Sequence, residues 1–323
     1  MTEKGEAGMR EMNTEARAAE RETAGAAVWL HGAVQLRKAF RLGPLNLEAP
    51  VGCVTAIVGP NGSGKSSTFR LLLGLTAADE GEIRLLGERV GDGLDDTELK
   101  RRMAYVPEED SKIEASLRGT SQAEFVSAWY PAWNQGEFER LLREFEVEPS
   151  KRLGKMSKGM RRKFELALAL AREPELLLLD EPSSGLDPLS WRKLVGELHR
   201  YMERGRHTIL MATHILDEVK RLADYIAIMA DGRIIGVYEK DELLSSWHRF
   251  YVGPGLGGAV SEGDVADLPG LVRAEESGGG TCRVVTSRAW EAEGWCRERG
   301  LPITGQRALE LDEIMEQLIR QAR

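Results

Sequence analysis

The sequence predicts an α/β fold built on a parallel sheet, followed by a smaller α+β unit. Three stretches carry that expectation. Val51–Val58 is an apolar, β-branched run that opens directly into glycines and then a helix start at Ser67. Leu176–Leu179 is four leucines in a row, as in a strand buried on both faces, and two acids follow it. Thr208–Thr213 is a further apolar strand that ends at His214. Helical stretches separate these runs, the alternation expected of a parallel sheet.

The chain has 323 residues, enough for one large domain and a smaller one. Hydrophobic residues make up 42%, so a sizeable core can form. The formal net charge of -8 argues against a general nucleic-acid surface, and no direct nucleic-acid partner is expected. Cys53, Cys282 and Cys296 share no metal-site spacing and give no sign of an oxidising compartment. Cys53 is expected to be a small core residue inside the strand over 51–58. No apolar run approaches the roughly 20 residues that span a bilayer, and the N-terminus lacks a secretory apolar segment. A cytoplasmic chain is expected, with any membrane role exercised through a partner.

Residues 1–25, charged and alanine-rich, read as a mobile leader. Strand-like sequence begins over Ala26–Val34. Phe40 is then either a ring that stacks on a nucleotide base or ordinary core packing.

The central motif is Gly59-Pro60-Asn61-Gly62-Ser63-Gly64-Lys65-Ser66-Ser67, which fits G-x-x-x-x-G-K-[ST]. Strand, glycine loop and helix is the context a phosphate-binding loop requires. Glycines let backbone N–H groups converge on phosphate oxygens, and the helix N-terminus adds partial positive charge. Lys65 supplies a point charge for the outer phosphates and Ser66 a hydroxyl for Mg²⁺.

Gly81–Gly87 reads as a strand and turn, and Arg102–Pro107 as a strand with the acidic loop Glu108-Glu109-Asp110 after it. Two helices are expected over 113–150, split near Pro131. Phe138, Leu141, Leu142 and Phe145 form one apolar face of the second. Trp129, Tyr130 and Trp133 at the break are either core or an exposed partner-binding patch. Ser157 is a helix N-cap candidate, and the open helix end there is a second potential phosphate site.

Asp180 and Glu181 fall at the carboxyl end of the leucine strand, where parallel sheets bind ligands. Asp180 suits an Mg²⁺ holder and Glu181 a residue that polarises attacking water. His214, also at a strand end, suits a hydrogen bond to a terminal phosphate. Tyr225–Ala230, Asp231-Gly232 and Arg233–Val237 read as a hairpin. The chain changes character near 246. A glycine-rich stretch over 253–263 precedes a second hairpin (Leu271–Glu276, Thr281–Thr286), a helix over Trp290–Arg299 and a final amphipathic helix with Leu311, Ile314, Met315, Leu318 and Ile319.

In this order the motifs resemble the nucleotide-binding subunit of ABC transporters over roughly residues 27 to 245. Gly59–Ser66 resembles the family's Walker A motif and Leu176–Asp180 its Walker B. Glu181 stands at the catalytic glutamate, Ser184–Asp187 at the D-loop, His214 at the switch histidine and Phe40 at the base-stacking aromatic. Met156-Ser157-Lys158-Gly159-Met160 stands where the signature L-S-G-G-Q belongs. Met156, Lys158 and Met160 depart from it, and Glu108 replaces the usual glutamine after Tyr105-Val106-Pro107. These departures look like the bacterial exporter branch with a separate permease.

The resemblance implies a RecA-like core, an antiparallel β subdomain and a helical subdomain (about 110–160) within an ATP-binding domain over 26–245; the change of sequence character beyond it marks a small α+β accessory domain over 246–323. The resemblance also implies ATP and Mg²⁺ as ligands. Glu181, His214 and Lys65 are the catalytic set. Ser66, Asp180 and Glu108 are on the metal side. Ser157, Lys158, Gly159, Met160 and Asp187 would act in trans across a homodimer or heterodimer. An integral-membrane permease would dock near 108–135 and hold the chain at the inner face of the membrane. The rival classes are a non-transport ABC ATPase that remodels DNA or ribosomes, and a regulatory module that senses ATP with little turnover.

Overall fold

The computed structural model describes residues 25–37, 40–91, 96–108, 115–255 and 258–323. The leader over residues 1–24 and the acids Glu109 and Asp110 lie outside the described residues. The chain divides into two compact units, Met1–Val237 and Tyr238–Arg323, a break that falls ahead of the position read from the sequence.

The first unit opens with two long strands, β1 (Ala26–Arg37) and β2 (Phe40–Pro50), followed by β3 (Val54–Val58) and helix α1 (Lys65–Leu72). Next come β4 (Glu80–Leu85), β5 (Glu88–Arg89), α2 (Thr97–Arg101) and β6 (Met103–Val106). Two helices follow, α3 (Gly119–Trp129) and α4 (Gln135–Glu144), then α5 (Lys158–Leu170). The rest alternates: β7 (Leu176–Asp180), α6 (Pro188–Glu203), β8 (Thr208–Thr213), α7 (Leu216–Leu222), β9 (Tyr225–Ala230) and β10 (Arg233–Glu239).

The strands form two sheets. One has the order β2-β1-β4-β5 and is antiparallel throughout. The other runs β10-β9-β3-β8-β7-β6, and the pairs β9–β3, β3–β8, β8–β7 and β7–β6 are parallel. Every residue of β3, β7 and β8 is buried, which explains why these strands read as continuous apolar runs. Phe69, Leu71 and Leu72 of α1 join Leu42, Leu45, Ile57, Leu178 and Leu210 in one core shared by both sheets. Each such fully buried side chain contributes about 2 kcal/mol relative to exposure.

Register fixes what lies at the sheet's carboxyl edge. Val58 pairs with Thr213, Asp180 with Ala212, and Val106 with Leu179. The segments that leave β3, β8, β7 and β6 therefore emerge side by side. They carry the glycine loop, His214, Glu181 and Glu108, respectively.

Two sequence expectations are corrected here. The strand expected over 51–58 starts at Val54, because Val51 and Gly52 form a turn and the Gly52 N–H donates to Thr208 Oγ1 (3.0 Å). Cys53 is consequently half-buried outside the strand, whereas Cys282 and Cys296 are fully buried. The helix after the glycine loop starts at Lys65, ahead of Ser67, with Gly64 as its N-cap and the Thr68 N–H on the Gly64 carbonyl (2.9 Å).

The aromatic trio at the Pro131 break does not act as one group. Trp133 packs on Phe138 with ring centroids 5.0 Å apart, and the Arg172 guanidinium sits over the Tyr130 ring at 3.6 Å. Trp129 alone projects, 60% exposed, and its neighbour is Phe125, 62% exposed.

The second unit starts with α8 (Lys240–Ser246) and β11 (His248–Val252). It continues with β12 (Leu271–Ser277), β13 (Thr281–Thr286), α9 (Ala289–Glu298), β14 (Ile303–Ala308) and α10 (Leu311–Ala322). Its antiparallel sheet has the order β12-β13-β11-β14. Phe250, Val252, Val284, Cys282 and Cys296 form its core. Glu310 and Glu313 close a capping box at the start of α10.

Candidate functional site

A cavity of about 440 Å³ opens at the carboxyl edge of the parallel sheet. Phe40, Asn61, Gly62, Gly64, Lys65, Ser66, Ser67, Glu108, Glu181 and His214 line it. Residues from four separate strand ends and from β2 thus meet in one place, as the register requires. A crevice at the carboxyl ends of parallel strands is where open α/β sheets take ligands.

The glycine loop is built to let the backbone turn inward. Gly64 has φ +114°, and a Cβ there would lie 2.7 Å from both Leu42 Cδ1 and Met229 Cε. Ser63 is buried; its N–H donates to the Pro60 carbonyl (3.1 Å) and its carbonyl accepts from the Gly232 N–H (3.0 Å). Lys65 is also buried, and its Nζ donates to the carbonyls of Gly59 (2.8 Å) and Pro60 (3.3 Å). Gly59 and Pro60 do not line the cavity; they aim the ammonium that does. Burial draws the Lys65 ammonium below its ordinary pKa, against the opposing pull of Glu181, Asp180 and Glu108.

Glu181 lies 5% exposed at the end of β7, in the left-handed region at φ +46°. A non-glycine residue held there is strained, and such strain gathers at functional sites. Its N–H donates to the Ala212 carbonyl (2.8 Å), and its side chain meets three neighbours. His214 Nδ1 lies 2.9 Å from Oε1, Thr213 Oγ1 donates to Oε2 at 3.3 Å, and Lys65 Nζ stands 3.9 Å from Oε1.

Asp180 sits beneath the cavity rather than in its lining. Burial pushes its carboxyl up to about 6, with a hydrogen bond from Ser66 acting the other way. Its Oδ1 is buried without a hydrogen-bond partner. An orphaned carboxylate oxygen beside a serine hydroxyl is an all-oxygen donor set, the kind a hard divalent cation takes. Among the described residues no three His, Cys, Asp or Glu side chains gather into a metal cage.

Ser157, Lys158, Gly159, Met160 and Asp187 lie outside the cavity lining. Ser157 caps α5, its Oγ accepting from the Met160 N–H at 3.2 Å. A Cβ on Gly159 would fall 2.5 Å from the Gly185 carbonyl oxygen, so the two backbones can meet only because that position is glycine. Lys158 Nζ donates to Ser184 Oγ at 2.9 Å. The Asp187 carboxylate caps α6, accepting from the N–H groups of Leu189 and Ser190 (3.0 Å each) and from Ser190 Oγ (2.6 Å). Those bonds hold its carboxyl down at about 2.

Sequence reasoning missed two buried groups behind Glu181. Glu218 of α7 accepts from the Ser183 N–H (3.2 Å). Arg162, 2% exposed on α5, donates to the carbonyls of Pro107, Asp180, Glu181 and Pro182. An arginine pair at 161–162, on a helix that from Phe164 onward is apolar except for Glu165, was the available signal for the second.

Comparison with known proteins matches this arrangement. The family model described as ABC transporter matches residues 42–184. The chain is 32% identical over 211 residues to the Nod factor export ATP-binding protein I of Burkholderia orbicola, covering 62% of this chain and 67% of that protein. The chain belongs to the ATP-binding cassette family of ABC transporters.

It is also 35% identical over 209 residues to the daunorubicin/doxorubicin resistance ATP-binding protein DrrA of Streptomyces peucetius. That match spans 62% of each chain. Among solved structures, an ATP-binding subunit of an ABC transporter superposes with a TM-score of 0.62 at 29% identity, covering 68% of this cassette chain and 92% of that one. No helix among the described residues is long and apolar enough to cross a membrane.

Proposed function

We propose that this chain is the ATP-binding and ATP-hydrolysing subunit of an exporter-type ABC transporter. It works as a pair of cassettes on a separate membrane permease, at the cytoplasmic face. The observation that carries this reading is the convergence of Lys65, Ser66, Glu181 and His214 on one cavity, with Asp180 directly beneath. The drug-resistance and Nod-factor names of the relatives favour export as the direction.

In this reading the loop over Gly59–Ser67 holds the phosphates and Phe40 covers the base. Two of the three Lys65 donors are engaged with the Gly59 and Pro60 carbonyls, which fixes the ammonium toward the outer phosphates. Ser66 and Asp180 would hold Mg²⁺, with Glu108 lining the same cavity, and the ion when bound would supply charge neutralisation on the phosphates. Glu181 accepts a hydrogen bond from the attacking water and orients it. The Nδ1–H of His214 fixes the Glu181 carboxylate, and a second proton on Nε2 would let the same ring donate to a terminal phosphate oxygen. Ser157 to Met160, with Asp187 close by, complete the partner's site in trans, so that hydrolysis releases the bridge between cassettes. A permease docks on the helical region near 108–135.

Binding is tested by the melting temperature of the purified chain with Mg-ATP. The wild type rises with ligand concentration by mass action, and Lys65→Ala rises far less. Equal shifts in the two proteins remove the phosphate-loop assignment.

A further inference from the structure

The helix that begins at Ser157 and the segment that carries Glu181 are joined at three places. Arg162, five positions into that helix, sends its guanidinium to four backbone carbonyls: Asp180, Glu181, Pro182 and, from the β6 side, Pro107. Lys158 bonds Ser184, and Gly159 lies against the Gly185 carbonyl. Together these ties span 180–185 on one side and the first turn and a half of α5 on the other.

The chemistry of Arg162 explains why this joint is stiff. A guanidinium is planar, always charged, and carries five donors in fixed directions. Buried at 2% exposure, it requires those acceptors, because leaving them unmet costs the full desolvation of a charge. Three consecutive carbonyls around Glu181 are thereby held in one orientation, including that of a residue at φ +46°. The fourth acceptor, Pro107, immediately precedes Glu108, which lines the same cavity.

We propose that Arg162 is a positioning residue: it fixes Glu181 and Glu108 to the helix that starts at Ser157, so that displacement of that helix end is passed to the hydrolytic carboxylate of the same chain. The inference rests on the ATPase reading above for its consequence, although not for its geometry. In a cassette pair the Ser157 end meets one nucleotide while Glu181 faces the other. Arg162 then mechanically links the two sites.

The full chain is tested as Arg162→Gln and Arg162→Lys. In nucleotide-free protein, hydrogen exchange is read on peptides covering 103–108 and 180–186. Arg162→Gln should speed exchange in both segments together and leave the 208–213 strand unchanged. With Mg-ATP, kcat should fall about 10²-fold while KM stays within about twofold, since the nucleotide loop is untouched and only alignment is lost. Arg162→Lys keeps the charge but loses the fork; it should melt close to wild type yet recover little of kcat. Unchanged exchange in both segments, unchanged kcat in Arg162→Lys, or a rise in KM matching the fall in kcat overturns the proposal. A wild type that hydrolyses no ATP sinks the ATPase reading, and Arg162 is then judged on the exchange result alone.

Discussion

His214 Nδ1 lies 2.9 Å from Glu181 Oε1, so the acid at the end of β7 and the histidine at the end of β8 form one hydrogen-bonded unit. An ionised carboxylate only accepts, so this bond requires the proton on Nδ1. The unit exists because β7 and β8 are parallel neighbours in register, and the Thr213 hydroxyl braces it from the same strand end.

Groups that act as a unit are non-additive. His214→Ala should lower kcat by about 10²-fold, and His214→Ala combined with Glu181→Gln should be no slower than Glu181→Gln alone. Steady-state phosphate release on the four proteins of the cycle measures this. Fully additive losses would show that the two side chains work independently.

The exposed aromatic pair and the half-buried tryptophan should behave differently. Phe125→Ala with Trp129→Ala should change stability by about 0.5 kcal/mol or less and leave basal ATPase activity intact, while permease-coupled transport falls. Trp133→Ala should instead lower the melting temperature, because it removes the ring packed on Phe138. Thermal melts beside a reconstituted transport assay separate the two outcomes. A large stability loss in the double variant would place Phe125 and Trp129 in the core.

Glu137 anchors a charge network that ties α4 to α6. It accepts from Arg140 (2.8 Å) and from Arg204 just past α6 (2.9 Å), while Arg140 and Arg200 also reach Glu197. The Arg140 hydrogen bonds foremost hold the Glu137 carboxyl down at about 2, from an ordinary 4.5. A depressed folded pKa gives stability that is present above about pH 4.5 and lost as pH falls toward about 2. Urea midpoints measured across that window should fall less steeply for Glu137→Gln than for the wild type. Parallel curves would mean the network adds no pH-linked stability.

Legibility from the sequence follows the physics of each element. Strand β8 is readable to the residue and β7 to within one, Asp180 closing it, because burial on both faces demands unbroken apolar runs. The cavity followed, since its residues stand directly after such strands. Helix α8, β11 and β14 were not readable. The β14 sequence Ile303–Ala308 is mostly exposed, so no alternation of apolar residues marks it. The start of β3 was misplaced because Val51 reads as strand while the Gly52 N–H is taken by a side chain, Thr208, that is 156 positions away. For Arg162 the arginine pair is visible in the sequence but its role is not, because its four acceptors come from two distant segments.

The assignment of Glu181 as the hydrolytic acid is tested most directly by phosphate release from Mg-ATP by the purified chain and its Glu181→Gln variant. The amide keeps the shape and loses the proton-accepting charge. Turnover should drop by about 10²-fold or more with nucleotide still bound. Phosphate release by the variant at the wild-type rate would contradict the role given to Glu181 and the cavity built around it.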